Sequence, residues 1–229
     1  CTTTVAFNEV RVPAGNVLGE VGKGFKVAMG ILNNGRTGLG GGAVGGMKAL
    51  IRRSVAQAQE RKQFDKPIAE YGLVREKIAQ MTVECFAAES AVWMVAHYID
   101  SGCEDYSVEA AITKVFASEA MQRTAYESLQ IAGGNGFMCE FPYERMLRDC
   151  RINRIFEGTN DILRLFIALN AMNGVATQLT ELAGLRKSLF SDPIKGFGVL
   201  QDYATKQAQI RTGIRAKGTY FTRLRPELG

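Results

Sequence analysis

Ile78-Ala79-Gln80-Met81-Thr82-Val83-Glu84-Cys85-Phe86-Ala87-Ala88-Glu89-Ser90-Ala91-Val92-Trp93-Met94-Val95-Ala96-His97-Tyr98-Ile99 is the stretch that decides the fold. Within it Ile78, Met81, Cys85, Ala88, Val92, Val95 and Ile99 step by three and four residues, which lines up one face of an α-helix. A helix of roughly six turns cannot bury such a stripe by itself, so partner helices are required. Ser101-Gly102 ends this helix. The next starts near Ser107, a candidate cap, carries Val108, Ala111, Ile112, Val115, Phe116 and Ala120 on one face, and stops at Gly133-Gly134-Asn135-Gly136. Upstream, a helical pattern runs from about Phe25 to Glu60, with Gly35, Leu39, Gly42, Ala43, Gly46 and Leu50 as a face of small residues for close helix contact. Downstream, a short helix over Tyr143 to Arg148 and a longer one from about Asn160 to Asn173 complete the set.

Long helices joined by short turns bury such stripes most economically as a bundle. The expected fold is therefore mainly α, an antiparallel four-helix bundle over residues 21–175. Residues 1–20 read as a short N-terminal β remnant, with one or two strands where Val5 and Phe7, then Val10 and Val12, alternate. After Gly174 the periodicity weakens, and residues 176–229 are expected to begin a partly ordered C-terminal extension. The chain opens Cys1-Thr2-Thr3 without an initiator methionine and reads as the interior of something longer, so any targeting segment is expected upstream.

Composition narrows the function classes. The 229 residues are 46% hydrophobic and 22% charged, which is ordinary for a packed domain. No window holds the roughly 18 apolar residues of a membrane span. A net charge of +5 is mildly basic, but the sequence has neither a concentrated basic stripe nor a nucleic-acid module. The five cysteines (Cys1, Cys85, Cys103, Cys139 and Cys150) are odd in number and lack CxxC spacing, so neither a disulfide framework nor a zinc site is indicated. The single histidine, His97, excludes multi-histidine metal centres. Gly40-x-Gly42-x-x-Gly45 matches the dinucleotide fingerprint literally, but it lies inside a helical pattern without the preceding strand that the motif needs. In the tail, Leu189, Phe190, Ile194 and Phe197 stand beside Arg186, Lys187 and Lys195, a mixture suited to a membrane surface or to packing on other protein.

The chemistry concentrates at Arg154-Ile155-Phe156-Glu157-Gly158-Thr159-Asn160-Asp161. A lone carboxylate set between apolar residues and a Gly-Thr turn is a setting in which a proton acceptor works near neutral pH. Taken alone, Glu157 could equally be a helix N-terminal acid facing the macrodipole.

Four segments, in order and spacing, resemble the C-terminal half of the acyl-CoA dehydrogenases over roughly residues 5–173. They are Gly24-Phe25-Lys26-Val27-Ala28-Met29 with Asn33-Asn34-Gly35-Arg36; Arg61-Lys62-Gln63-Phe64; Gln130-Ile131-Ala132-Gly133-Gly134-Asn135-Gly136-Phe137; and Arg148-Asp149 through Glu157-Gly158-Thr159-Asn160-Asp161. Within that family the Leu32-to-Arg36 and Ile155-to-Arg164 runs are most similar to the very-long-chain enzymes and to their relative associated with complex I assembly.

The resemblance implies an FAD-dependent desaturation of long-chain acyl-CoA thioesters to trans-2-enoyl-CoA. Glu157 would remove the α-proton while a hydride passes from the β-carbon to the flavin. It further implies that Asn33, Arg36 and Gly158 lie near the substrate. Arg61, Gln63, Phe64, Gln130, Gly133 and Gly134 would reach a flavin shared across a homodimer, and Thr159 and Asp161 would contact flavin from the catalytic loop. A planar guanidinium such as Arg61 suits a pyrophosphate because its donors pair bidentately with phosphate oxygens. Some relatives carry the glutamate at the position of Gly35; here that place has no side chain, so Glu157 has no local rival. Electron-transfer flavoprotein as acceptor, a mitochondrial location and no metal are implied in the same way. One departure stands out: Asp65 follows Phe64 where the family usually has glycine, placing a negative charge near the expected pyrophosphate. Asp65 and the missing N-terminal half keep a second reading open, a non-catalytic assembly or scaffold protein on the same bundle.

Overall fold

The structure, a computed structural model, describes residues 3–172. The described residues up to Asn170 form one compact unit; residues 1–2 and 173–229, including the tail read above as a membrane-surface candidate, lie outside the described residues.

Three long helices make the frame: α1 (Gly24–Glu60), α2 (Gly72–Asp100) and α3 (Ser107–Ala132). Shorter ones follow, α4 (Gly134–Phe137), α5 (Tyr143–Arg151) and α6 over residues 160–172. The pairings fix their directions. Ala58 near the end of α1 clusters with Met81 and Ile78 early in α2, and Gly40 of α1 faces Val92 of α2, so these helices are antiparallel. Arg123 of α3 bonds Glu84 of α2, and Lys77 pairs with Glu127, so α2 and α3 are antiparallel as well. Consequently α1 and α3 run parallel, with Gly40 against Thr113 and the Ser54 hydroxyl 3.0 Å from that of Ser128. The core between them is built from Val44, Met47, Leu50, Cys85, Ala88, Ala117 and Met121, with Tyr143 and Cys150 of α5 closing one side. Truncating fully buried Leu50 to alanine is the kind of change that costs about 2–5 kcal/mol.

The bundle confirms the helical expectation, with four local differences. Residues 3–12 form no strand, because a strand needs a partner edge to satisfy its backbone and none of the described residues supplies one. The only sheet among them is the two-stranded hairpin β1 (Lys62–Gln63) and β2 (Lys66–Pro67), pairing Lys62 with Pro67 and Gln63 with Lys66. The tight face of α1 includes Gly40 rather than Gly42: a Cβ on Gly40 would lie 3.0 Å from both Thr113 and Val92, whereas Gly42 faces open space. In α3 the expected Ala111 and Ala120 are fully buried, but so are Ala110, Thr113, Lys114, Ala117, Ser118 and Ser128, while the expected Ile112 is exposed. Small side chains win there because α3 is flanked by α1, α2 and α5 at once. Finally, Ser107 does not cap α3: the cap position is Tyr106, whose side chain makes no cap bond, and the Asp105 carboxylate just before it accepts the Ser107 backbone N–H at 3.0 Å. Those hydrogen bonds hold the Asp105 carboxyl below its usual range.

Candidate active site

Between α5 and α6 the chain makes a 3-10 turn (Ile152–Arg154) and then a sharp bend at Glu157-Gly158. Both residues are left-handed, Glu157 at φ 58° and Gly158 at φ 90°. For a non-glycine residue this conformation costs about 1–3 kcal/mol and persists only where the surroundings enforce it. Here the enforcement is visible. The Arg36 Nε of α1 donates to the Glu157 carbonyl at 3.1 Å, and the Lys114 Nζ of α3 donates to the Gly158 carbonyl at 2.8 Å. Arg36 is in turn steadied by its 2.9 Å bond to Asn33 Oδ1, one helical turn earlier.

The bend lays the Glu157 carboxylate across α1 at Gly35. A Cβ on Gly35 would lie 2.7 Å from Oε2 and 3.1 Å from Oε1, so only glycine leaves this space to the acid. The Oε2 atom is buried without a hydrogen-bond partner. The neighbours expected to dry the carboxylate, Ile155 and Phe156, are instead exposed; the close contact comes from Gly35. A carboxylate oxygen held dry and unpaired is equipped to take a proton from a group docked against it.

Behind the bend lies a polar network that the sequence reading missed. Lys114 is fully buried, and its second bond runs to Asn160 Oδ1 at 2.8 Å. Asn160, also buried, donates through Nδ2 to Ser118 Oγ at 3.0 Å and to Glu119 Oε1 at 3.2 Å. Glu119 pairs further with Arg164 and Arg154. Burial lowers the Lys114 pKa to about 8, helped by the Arg36 charge and opposed by Glu157 and Glu119. Burial likewise lowers that of Arg36, against the attraction of Glu157. A signal for Lys114 was present: it is a lone cation in Ala110-Ala111-Ile112-Thr113-Lys114-Val115-Phe116-Ala117, with small residues at three and four positions on either side.

Thr159 caps α6, its Oγ1 accepting the Ile162 N–H at 3.4 Å. The Asp161 carboxylate is exposed and pairs with Arg164 at 3.7 Å. The remaining predicted residues gather elsewhere. Gln63, Phe64 and Gln130 line one open groove of about 340 Å³ with Ile68, Tyr71, Val74 and Ile131 as apolar surface. The Arg61 segment and the end of α3, 67 residues apart between Gln63 and Gln130 (130 − 63), are thus brought together. Arg61, Gly133 and Gly134 are exposed nearby in sequence. At the hairpin tip Phe64 and Asp65 are both left-handed, φ 52° and 65°, as a two-residue hairpin turn of the primed type requires. Tyr71 braces the tip, its hydroxyl donating to the Gln63 carbonyl at 2.8 Å and its ring set edge-on to Phe64.

A larger groove of about 620 Å³, between α2 and α3 beside Leu73, Gln80, Arg123 and Tyr126, contains none of the predicted residues. Among the described residues no cluster of metal-ligating side chains occurs, and no helix is long and apolar enough to cross a membrane. His97 is exposed on α2, and Cys85 and Cys150 are free thiols in the core, their pKa values raised by burial.

Comparison with known proteins adds relatives to this geometry. A family model described as Acyl-CoA dehydrogenase, C-terminal domain, matches residues 22–172. The very long-chain specific acyl-CoA dehydrogenase, mitochondrial, of Rattus norvegicus is 47% identical over 227 residues, covering 99% of this chain and 34% of that protein. Its Homo sapiens counterpart gives the same identity and coverage. Among solved structures, butyryl-CoA dehydrogenase from Megasphaera elsdenii aligns with a TM-score of 0.70 at 37% identity, over 72% of this chain and 43% of that one. An acyl-CoA dehydrogenase complexed with FAD from Bacillus anthracis aligns at 0.68 and 40%, over 78% and 34%. The chain spans about a third of the length of the curated relatives it matches.

Proposed function

This chain belongs to the acyl-CoA dehydrogenase family, and from that premise we propose that it is the base-bearing portion of an FAD-dependent enzyme that desaturates long-chain acyl-CoA thioesters. The observation that carries the reading is the Glu157 carboxylate, its Oε2 buried and unpaired, occupying the space that Gly35 leaves open. Glu157 takes the proton from the carbon next to the thioester carbonyl. Such a C–H is a poor acid in water, so a positioned base contributes about 10²–10⁴-fold. Asn33, Arg36 and Gly158 lie around the thioester, with Arg36 holding the base by its main chain rather than by its carboxylate.

The residues present fit FAD. The groove lined by Gln63, Phe64 and Gln130 pairs amide groups with an apolar floor suited to a flat ring system, and the exposed Arg61 guanidinium suits a pyrophosphate. Gly133 and Gly134 add backbone that can be approached closely, and Thr159 and Asp161 flank the catalytic loop. When bound, FAD supplies the acceptor for the hydride lost from the β-carbon. The groove residues serve the flavin of a second copy in a homodimer, and electron-transfer flavoprotein takes up the electrons. The setting is mitochondrial, a reading that the names of the relatives support.

The test is Glu157→Gln in the complete polypeptide loaded with FAD. Bleaching of the flavin absorbance by palmitoyl-CoA is expected to slow by at least about 10²-fold, and an unchanged rate would overturn the reading. Asp65 favours a second reading, an assembly protein on the same bundle: protein that stays colourless with FAD and the complete chain would support it.

A further inference from the structure

Two consecutive carbonyls of the left-handed bend, those of Glu157 and Gly158, each accept a hydrogen bond from a buried cation on a different helix. Arg36 is the expected one. We propose that Lys114 is a positioning residue for the base: its ammonium, bonded to the Gly158 carbonyl and to Asn160, holds the bend that aims Glu157 over Gly35. This rests on the reading of Glu157 as the base.

The argument is geometric first. Gly158 at φ 90° has its own carbonyl fixed at 2.8 Å by Lys114, and Asn160, two residues on, is fixed by the same nitrogen at 2.8 Å. One side chain therefore spans the junction between the bend and the start of α6. The carboxylate lies just before that junction, so any rotation at Gly158 swings it off Gly35. The bend is packed closely at this point, since a Cβ on Gly158 would meet Leu163 at 3.3 Å and Arg36 at 3.5 Å.

Charge is part of the device. Hydrogen bonds from an ionised donor are roughly twice as strong as neutral ones, and burial strengthens them further. A neutral amine keeps the contacts, each weaker, but sheds the desolvation that burial imposes on the ammonium. The charged groups around Lys114 are Arg36 on α1, Glu157 on the bend and Glu119 on α3 itself. Glu119 is drawn outward by Arg154 and Arg164, and the ammonium makes no ion pair within 4.0 Å with a described carboxylate, its acceptors being neutral oxygens. With its pKa near 8, the charge is lost within a range where the protein can be studied.

The test reads the bend directly. Hydrogen exchange by mass spectrometry is followed on a peptide spanning residues 155–163 of the 229-residue chain, in wild type, Lys114→Met and Lys114→Arg. The expected result is exchange at least ~10-fold faster in Lys114→Met, with α1 and α2 peptides unchanged and Lys114→Arg within about 3-fold of wild type. Wild type itself, corrected for intrinsic exchange, should tighten in this peptide as pH rises from about 8 toward about 10, because opening returns the lysine to its ordinary pKa while the closed bend no longer holds a desolvated charge. This last measurement stands even if the methionine variant fails to fold. In the complete FAD-loaded polypeptide, Lys114→Met should lower kcat at least ~10-fold with KM within about 3-fold. Exchange equal to wild type, or faster equally in all helices, overturns the proposal, as does a wild-type peptide indifferent to pH. If Glu157→Gln left turnover intact while the exchange pattern held, the base assignment would fail and the clamp would survive.

Discussion

Among the described residues two pairs of consecutive left-handed residues occur, Phe64-Asp65 and Glu157-Gly158, and they are supported in opposite ways. The first sits at the tip of a two-stranded hairpin, where the turn geometry itself demands positive φ and the brace is local: Tyr71, with Lys66 stacked 4.5 Å above its ring. Its aromatic side chain is 88% exposed. The second sits at a helix junction, where nothing local demands it. It is held by Arg36 and Lys114, which lie 121 and 44 positions away from the carbonyls they grip. Strain at a hairpin tip leaves a side chain free to meet something else. Strain held by buried cations fixes a side chain in place, which is what a base requires.

The comparison can be broken most decisively at Lys114. Its folded pKa of about 8 lies below the value of about 10.4 for unfolded lysine. Between those values the unfolded chain binds more protons, so stability at this site rises with pH and the penalty is fully present below about 8. Relative to Lys114→Met, wild type should therefore gain stability from pH 8 to 10, by at most about 3 kcal/mol. Paired denaturant melts at each pH measure this difference, and a flat one would mean that the ammonium is not desolvated.

Gly35→Ala gives the next largest effect. Its Cβ would lie 2.7 Å from Glu157 Oε2, so the carboxylate must move. We expect the complete enzyme to lose about 10-fold or more in turnover, roughly 1.4 kcal/mol, although alanine favours the helix by up to about 1 kcal/mol. Falling turnover with a melting temperature that holds or rises would separate site from fold; unchanged turnover would show that Glu157 does not need this space.

The smallest effect belongs to the hairpin. Asp65→Gly relieves a non-glycine residue at φ 65° and removes the carboxylate from the hairpin tip. Flavin binding should tighten by a few-fold, about 0.5–1 kcal/mol, read by titration with FAD at two salt concentrations. Equal affinity at both would mean that Asp65 faces away from the pyrophosphate.

The helices were legible because periodicity reports burial on one face, and Gly72–Asp100 buries Met81, Cys85, Ala88 and Val95 where the spacing put them, although Ile99 at the end of the stripe is exposed. The register of α1 and the buried face of α3 were less so. Whether Gly40 or Gly42 is the tight contact depends on a few degrees of helix rotation that only Val92 and Thr113 decide. Strand propensity in residues 3–12 could not become a strand, since a ladder needs a partner that propensity does not supply. At the site, Glu157 was singled out by residue type and context, Arg36 and Asn33 by the family resemblance, and the structure joins them. Lys114 and Asn160 were passed over because the one local cue, a lone cation among small residues, takes on chemical meaning only when packing buries it against Asn160.

From residue order alone came the helical class, the positions of the breaks between helices, and the carboxylate set beside a Gly-Thr turn. Those depend on interactions within a few positions along the chain. Tertiary packing alone decided that the carboxylate rests on Gly35, that two cations from different helices grip the bend, and that Gln63 and Gln130 share one groove. Each of these is a meeting of distant segments, and such meetings are set by how α1, α2 and α3 fill space against one another rather than by any local preference.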